Sequence, residues 1–237
     1  MAITRFWCIF ELISQQYVVH GILGGHRIRI EDAPFQVNYG DICGGVMIHA
    51  VWAMTSAHCG TEENYIRVGS RHRFNGLKIK ILSHQSHPNF KQNHEYDYDV
   101  QLLRLYGNVN FNRKVKAIDI GSEHGRHILV AGWGYPREKS DYTDVLHQVK
   151  LYRVQMSRCQ KVDKKWYNHT LTARMFCAGG MGRDACQGDS GGAAVSRGRV
   201  VGISSFGYGC GRYNIPGVYI NISEENIREW IRGYTGV

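Results

Sequence analysis

The sequence has no long apolar stretch, no close pair of cysteines and few prolines. None of its apolar runs approaches the roughly 18 residues that a membrane-spanning helix needs, so no membrane segment is predicted. None of the seven cysteines forms a C-x-x-C pair, which argues against a structural zinc site or a thioredoxin-like redox motif. Only 4 prolines, beside 28 glycines and 43% hydrophobic residues, argue against a disordered or fibrous chain. The 237 residues suffice for one large or two small domains with a buried core.

Acidic residues are fewer than basic ones. The chain has 29 Lys and Arg against 20 Asp and Glu, a formal net charge of +9. Such an excess favours nucleic acid or anionic surfaces when it is clustered. Here the basic residues are spread along the sequence, and no aromatic residues are interleaved with them to stack on bases. We therefore expect solvated basic faces, with neither a nucleic-acid nor a membrane partner.

The cysteines indicate disulfide bonds. Six of the seven fall at moderate spacings inside the folded region, which suggests three bridges and an oxidising compartment. Bridges that close loops of about 15 to 25 residues would each stabilise the fold by about 3 kcal/mol. The six are Cys43, Cys59, Cys159, Cys177, Cys186 and Cys210.

Residues 1–21 make a poor secretory leader. The apolar run Phe6–Phe10 is short, Glu11 interrupts the hydrophobic stretch, and bulky residues stand where a cleavage site needs small ones. Residues 1–21 are either a degenerate pre-segment or a start that does not belong to the mature protein. We exclude them, including the odd cysteine Cys8, from fold reasoning.

From Ile22 onward, short strand-forming runs alternate with turn residues, which predicts an all-β barrel or sandwich. Residues 113–122 resemble a linker between two similar halves. The predicted strands of the first half are Phe35–Tyr39, Val46–Ser56, Tyr65–Val68, Lys78–Leu82 and Val100–Leu105. Those of the second half are His127–Gly132, Gln148–Gln155, Met175–Ala178, Ala193–Ser196, Arg199–Ser204 and Val218–Ile222.

The C-terminus carries the one convincing helix. Ser223 is a suitable N-cap, and Glu224 and Glu225 would sit favourably in the first turn. The helix would pack on the outside of the second half through one apolar face, formed by Ile227, Trp230, Ile231 and Tyr234.

A serine enclosed by glycines is the strongest chemical signal. Ser190 lies in the stretch Cys186–Gly192, between Asp189 and Gly191-Gly192. Glycines permit positive φ, which can turn successive backbone N–H groups toward a common point. A serine nucleophile needs this geometry, because the N–H groups of Gly188 and Ser190 could then stabilise the oxyanion that its attack creates.

A serine hydroxyl is a weak nucleophile and needs a base, which in turn needs an orienting group. His58 follows an apolar strand and is next to Cys59, which distinguishes it from the other histidines. Asp99 precedes the apolar pair Leu102-Leu103 and offers a carboxylate at the start of a strand.

These motifs together resemble a known family. The segments SAHC, DYDV and CQGDSGG, in this order, are similar to those of the trypsin-like serine proteases of the chymotrypsin family, and the general pattern to invertebrate digestive trypsins. The similarity covers residues 22–237. It implies two packed six-stranded antiparallel β-barrels, at about 22–118 and 119–222, and a C-terminal helix at about 223–234.

The resemblance also implies roles for single residues. Ser190 would attack the scissile carbonyl while His58 accepts its proton and later returns it to the leaving amine. Asp99 would orient the imidazole and accept a hydrogen bond from Ser205. The N–H groups of Gly188 and Ser190 would bind the oxyanion. The implied disulfides are Cys43–Cys59, Cys159–Cys177 and Cys186–Cys210, with Cys8 unpaired.

The substrate pocket implied by the family has a carboxylate at its base. Asp184 matches that position, and a buried carboxylate there binds Arg in bidentate fashion or Lys through water. Gly207 and Gly217 match the positions in the pocket walls that must lack side chains to admit a long substrate residue. Ser205 is a further substrate-binding position. Ala185 stands where many trypsins carry Ser, and the missing hydroxyl favours Arg over Lys.

Neither a metal nor another cofactor is expected. Residues 68–82 correspond to a loop that binds calcium in some relatives, but they contain no Asp or Glu. Two weak glycosylation sequons begin at Asn168 and Asn221.

The residues around Ile22 differ from the activation site of the family. Ile22 resembles the new N-terminus of the activated family, whose ammonium would pair with Asp189. Trypsins carry Arg or Lys before this isoleucine, whereas Gly21 stands here. Either another protease activates the zymogen, or the leader is not natural, or the chain is never activated.

The sequence therefore predicts a secreted, monomeric serine endopeptidase of the digestive kind, made as a zymogen. It would cleave protein and peptide substrates after Arg or Lys, with Arg preferred, and bind protein protease inhibitors. The alternatives are a non-activated or non-catalytic binding homologue and a regulatory protease of narrow specificity.

Overall fold

The computed structural model describes residues 22–122, 125–162, 164–167 and 170–237. The predictions for the leader, Cys8, Gly21 and the sequon residue Asn168 lie outside these residues. The strands are β1 His26–Arg27, β2 Gln36–Tyr39, β3 Cys43–His49, β4 Trp52–Thr55, β5 Tyr65–Val68, β6 Leu77–Ser86, β7 Gln101–Leu105, β8 His127–Gly132, β9 His147–Val154, β10 Met175–Gly179, β11 Ala193–Ser196, β12 Arg199–Phe206 and β13 Gly217–Asn221. The helices are α1 Met156–Cys159, α2 Lys164–Tyr167 and α3 Glu225–Thr235.

The strands form two closed antiparallel barrels. The first has the order β2-β3-β4-β7-β6-β5. The second has the order β9-β10-β13-β12-β11-β8 and closes through pairing of β8 with β9, while β1 extends it at β9. The predicted fold of two six-stranded barrels with a C-terminal helix is confirmed.

Each barrel is filled by inward-facing apolar side chains, and a further cluster joins the two. Val37, Met47 and Ile66 are fully buried in the first barrel, and Ile128 and Leu151 in the second. Burial of side chains of this size contributes about 1.5–3 kcal/mol each. The joining cluster includes Val46, Met54 and Leu102 of the first barrel and Ala193, Ile203 and Ile220 of the second. The catalytic candidates lie along this junction.

Three disulfides match the pairings that the resemblance implied. Cys43–Cys59, Cys159–Cys177 and Cys186–Cys210 close separations of 16, 18 and 24 residues. The first ties β3 to the turn that carries His58. None of the helices in the described part of the chain is long and apolar enough to cross a membrane.

Two local predictions are wrong. Residues 46–56 are not one strand, because the chain reverses between β3 and β4, where the backbone N–H of Val51 donates to Nδ1 of His49. This turn contains neither Gly nor Pro, so the sequence does not signal it. The N-cap of α3 is Glu224 and not Ser223, because the Glu224 carboxylate accepts from the N–H of Ile227. The short helices α1 and α2 were not predicted.

Candidate active site

His58 and Asp99 form the centre of the site. His58 lies in a single 3₁₀ turn directly after β4. Its Nδ1 is 2.6 Å from Oδ2 of Asp99, and its backbone N–H donates to Oδ1 of the same carboxylate at 2.8 Å. Asp99 is fully buried, and Ser205 Oγ donates to its Oδ2 at 2.5 Å. The carboxylate thus accepts three hydrogen bonds, which fixes the imidazole ring with Nδ1 toward Asp99.

Ser190 lies in a turn that the first barrel holds in place. The N–H of Gly44 in β3 donates to the carbonyl oxygen of Ser190 at 2.7 Å, and the N–H of Gly191 donates to the carbonyl of Ser204 at 2.8 Å. Gly191 has φ +78°, and a Cβ there would lie 2.1 Å from Oγ1 of Thr55. Only glycine fits this contact. Ser190 and His58 line one cleft of about 200 Å³.

The backbone around Ser190 leaves two donors available. Gly188 has φ +92°, a conformation that favours glycine. Within the described residues, neither the N–H of Gly188 nor that of Ser190 donates to a protein acceptor. The ring of Tyr142 lies directly over Gly188. A Cβ added to Gly188 would lie 2.2 Å from Cε1 of Tyr142. The guanidinium of Arg73 lies 3.7 Å from the centroid of that ring and holds it in position.

Asp184 lies at the base of the cleft. Its side chain is 3% exposed, and Oδ2 accepts from the N–H of Gly211 at 3.0 Å. Oδ1 has no hydrogen-bond partner of normal geometry in the part of the chain that is described. A Cβ on Gly217 would lie 2.9 Å from Oδ1, and one on Gly207 would lie 3.7 Å from Gly217 Cα. The two glycines therefore leave a narrow passage that ends at a carboxylate oxygen, and burial raises the pKa of Asp184 to about 7.

Asp189 is buried beside Ser190, and its partners among the described residues are backbone N–H groups. Its two carboxylate oxygens accept from the N–H groups of Gly134 and Cys186, both at 2.9 Å. Burial raises the pKa of Asp189 to about 7. No basic side chain of the described residues pairs with it. The side chain of Ile22 is fully buried in the core of the second barrel, in the same cluster as Val130 of β8.

The structure adds a buried ion pair that sequence reasoning missed. Asp97 is fully buried and accepts from Nε and Nη2 of Arg174 at 2.8 and 2.9 Å, and from Oγ1 of Thr172 at 3.0 Å. The Arg174 guanidinium also lies 4.8 Å from the ring centroid of Tyr98. The pair joins the loop before Asp99 to the second barrel. Its partners are far apart in sequence, so no local motif marks it.

Aromatic side chains form one wall of the cleft. The ring of Tyr96 stacks on Phe206 with centroids 4.6 Å apart and meets His58 edge-on at 5.7 Å. The ring of Tyr167 meets Phe206 edge-on, with centroids 6.0 Å apart. Sequence reasoning missed Tyr96 and Tyr167, since a tyrosine in a loop carries no signal of its own.

The structure also shows which residues could bind a metal. Within the described residues, the group of potential ligands close enough together is Cys43, His58 and Cys59. The two cysteines are joined in a disulfide, so they offer no thiolate. In the loop 68–82, Arg73 is buried and donates to the backbone carbonyl of Asp41.

Comparisons with known proteins agree with this geometry. The family model described as Trypsin matches residues 22–231. The chain is 33% identical to Trypsin 5G1 of Aedes aegypti over 91% of its length and 85% of that protein. It is 32% identical to Trypsin of Sus scrofa over 89% of its length and 94% of that protein. Among solved structures it is similar to neuropsin, a serine protease expressed in the limbic system of mouse brain, with a TM-score of 0.82, 29% identity, and coverage of 90% of this chain and 99% of that one.

Proposed function

The chain belongs to the trypsin family of serine proteases and is a serine endopeptidase, and on this basis we propose that it cleaves peptide bonds after Arg, and less efficiently after Lys. The observation that carries the proposal is Oδ1 of Asp184, which has no hydrogen bond of normal geometry to a described residue and lies at the end of the glycine-walled passage. A buried carboxylate oxygen with poor hydrogen bonds is costly, and a guanidinium that enters the passage supplies both donors and charge.

The proposed chemistry begins with proton transfer from Ser190 to His58. As Ser190 Oγ attacks the scissile carbonyl carbon, Nε2 of His58 accepts the hydroxyl proton, because Nδ1 is directed at Asp99. The carbonyl π electrons move to oxygen and form a tetrahedral oxyanion. His58 then gives the proton to the departing amine nitrogen, the C–N bond breaks, and an acyl-enzyme remains on Ser190. Water repeats these steps and releases the acid.

Hydrogen-bond donors and a buried carboxylate would stabilise the charges that develop. The free N–H groups of Gly188 and Ser190 would donate to the oxyanion, a kind of interaction worth about 3–4 kcal/mol per donor. Asp99 would stabilise the imidazolium, and the hydrogen bond from Ser205 holds its carboxylate in place. The roles of the Asp99 and Ser205 side chains can each be tested by a separate substitution.

A direct test uses protein that starts at Ile22. We expect a fluorophosphonate probe to label Ser190, and peptides with Arg or Lys before the scissile bond to be cleaved while a matched Phe peptide is not. Absence of labelling would favour the alternative of a non-catalytic binding homologue. Cleavage of only a few extended sequences, and not of short Arg peptides, would favour a regulatory protease of narrow specificity.

Activation is proposed to depend on Ile22 and Asp189. We expect the chain that starts at Ile22 to hydrolyse an Arg peptide about 10³-fold faster than the uncut chain, because a free ammonium would neutralise buried Asp189 and order the neighbouring Gly188 and Ser190 donors. Rates of peptide hydrolysis by the two chains measure the effect. The control is Asp189→Asn in the shorter chain, which should stay at the level of the uncut chain. Full activity of the uncut chain would contradict the mechanism. Gly21 implies that an activating protease does not itself require Arg or Lys.

Ala185 is proposed to set the preference between the two cationic residues. A serine here would offer Lys a hydroxyl acceptor, whereas Arg reaches both oxygens of Asp184 directly. We expect kcat/KM for an Arg peptide to exceed that of the matched Lys peptide by about 10-fold, and Ala185→Ser to raise the value for Lys selectively. Equal efficiency on both peptides would contradict this assignment.

The remaining proposals concern the setting of the enzyme. Three disulfides in a domain of this size favour secretion into an oxidising compartment. We propose that the protein acts there as a monomer on protein and peptide substrates, consistent with the digestive role of trypsins. We also propose that protein inhibitors bind in the cleft by inserting an exposed Arg or Lys of their own.

A further inference from the structure

We propose that Arg174 is a positioning residue of the active site. Through its ion pair with Asp97, it holds the chain segment that carries Asp99 in one orientation against the second barrel. Arg174 does not line the cleft, so its effect on catalysis has to be transmitted through these neighbours. The inference rests on the catalytic roles proposed above for Asp99, His58 and Ser190.

The catalytic candidates come from two different barrels. His58 and Asp99 belong to the first barrel, whereas Ser190 lies between β10 and β11 of the second. Proton transfer from Ser190 to His58 requires that the two side chains stay within hydrogen-bond reach of each other. The loop 87–100, which joins β6 to β7 and carries Asp99, therefore has to be fixed relative to the second barrel.

Two buried carboxylates of this loop bind the second barrel at separate points. Ser205 Oγ in β12 donates to Oδ2 of Asp99 at 2.5 Å. Asp97 accepts from Nε and Nη2 of Arg174 at 2.8 and 2.9 Å and from Oγ1 of Thr172 at 3.0 Å, just before β10. A bidentate pair fixes direction as well as distance. With the Ser205 contact alone, the loop could turn about a single point, and the Arg174 contact prevents this rotation.

The backbone between the two carboxylates has an unfavourable conformation. Tyr98 has φ +53°, which residues other than glycine rarely adopt. Such a conformation persists only where the surrounding structure enforces it. The Arg174 guanidinium lies 4.8 Å from the centroid of the Tyr98 ring, and the ring of His87 stacks on it at 4.4 Å. Arg174 thus holds this turn twice, through Asp97 and through the Tyr98 ring. Without Arg174, Tyr98 would relax and turn the Asp99 carboxylate out of its hydrogen bonds.

Stability alone does not account for the ion pair. The Asp97 side chain is fully buried and that of Arg174 is 22% exposed, so both charges lose most of their contact with water. This desolvation is costly, and apolar residues can often replace a buried ion pair without loss of stability. Asp97 also accepts from the neutral side chains of Thr172 and Asn93. The need to hold the loop in one orientation is the better explanation for a charged, bidentate contact.

The experiment compares the unaltered chain with the double variant Asp97→Asn, Arg174→Met. This variant loses both charges together, so no unpaired charge stays buried and the net charge is unchanged. The matched control is Arg29→Met, Asp32→Asn, which removes an exposed ion pair of 3.0 Å from the first half of the chain. Thermal unfolding shows whether each variant is folded. If the double variant is not, Arg174→Lys replaces it, because the charge then remains while the bidentate contact is lost.

The first readout is the division of the effect between kcat and KM. In chains that start at Ile22, we expect the double variant to hydrolyse an Arg peptide with kcat lowered about 30-fold. KM should stay within about twofold, because Arg174 does not line the cleft that contains Asp184. Arg174→Lys should lower kcat about fivefold, and the control less than about twofold. Rates are expressed per active site, so a loss of stability alone would not produce this division.

The second readout does not depend on activity. Nδ1 of His58 lies 2.6 Å from Oδ2 of Asp99, and a proton in so short a hydrogen bond to a carboxylate resonates far downfield in NMR spectra. We expect this resonance in the full chain and in the control, and an upfield shift in the double variant. An unchanged resonance, or a kcat within about twofold of the control, would overturn the proposal. If the unaltered chain hydrolyses no peptide, the proposed protease function fails, while the resonance still decides whether Arg174 positions Asp99.

Discussion

Replacing Ser190 by Ala in the chain that starts at Ile22 is expected to lower kcat for an Arg peptide about 10⁶-fold. The reason is that Ser190 shares the cleft with His58 and supplies the attacking oxygen of the proposed mechanism, whereas Ser205 Oγ in the same cleft already donates to Asp99. The variant should still bind the peptide, so KM or inhibitor affinity changes little. Ser157→Ala, at an exposed serine of α1, serves as the matched control and should retain full activity.

A double variant tests whether Ser190 and His58 act as a unit. His58→Ala alone should cost nearly as much as Ser190→Ala, and the double variant should be no slower than either single one. Single-turnover rates with an activated ester would resolve these small residual activities. Additive losses in the double variant would mean that His58 does not act through Ser190, and the proposed proton transfer would be wrong.

Asp184→Asn is expected to lower kcat/KM for Arg and Lys peptides about 10⁴-fold. The change keeps the shape of the side chain but removes its charge, so a substrate cation would be buried without compensation. A matched Phe peptide should be affected less than about tenfold, since it does not use the carboxylate. Steady-state kinetics on the three peptides gives the result, with the exposed Asp141→Asn as control. A loss below about tenfold for Arg would show that Asp184 is not the specificity residue.

The pH dependence of substrate binding should report on the same carboxyl. Burial raises the pKa of Asp184 to about 7, so in the free enzyme the group is protonated below this pH. Only the ionised form attracts a substrate cation. KM for an Arg peptide should therefore rise as the pH falls below about 7 and level off above it. The Asn variant should lack this dependence, whereas a pH profile shared by both proteins would assign it to another group.

Burial of Asp184 also has a consequence for stability. Its folded-state pKa, about 7, exceeds the ordinary value of 3.8, so the folded chain binds this proton more tightly than the unfolded chain does. The resulting stabilisation is complete below the ordinary pKa and is lost as the pH rises through about 7. A bound cation would reverse this loss by stabilising the ionised form.

The local sequence pattern predicted the bounds of several strands. The strands Tyr65–Val68, His127–Gly132 and Ala193–Ser196 have the predicted bounds, because turn residues flank each of these short apolar runs. The single strand predicted at 46–56 is instead a hairpin. Its turn is made by ordinary residues whose conformation depends on the paired strands, so tertiary context decided it.

The sequence by itself predicted an all-β fold and the serine, histidine and aspartate candidates, and the resemblance of their motifs to a known family implied the two-barrel arrangement. A serine nucleophile in a tight turn needs glycines at fixed positions beside it, so this part of the site is visible in the sequence. Only the tertiary structure decided what surrounds them: the Asp97–Arg174 pair and the Tyr142 ring over Gly188. Each of these contacts joins residues from distant segments of the chain. Contacts between residues far apart in sequence produce no periodic or local sequence pattern.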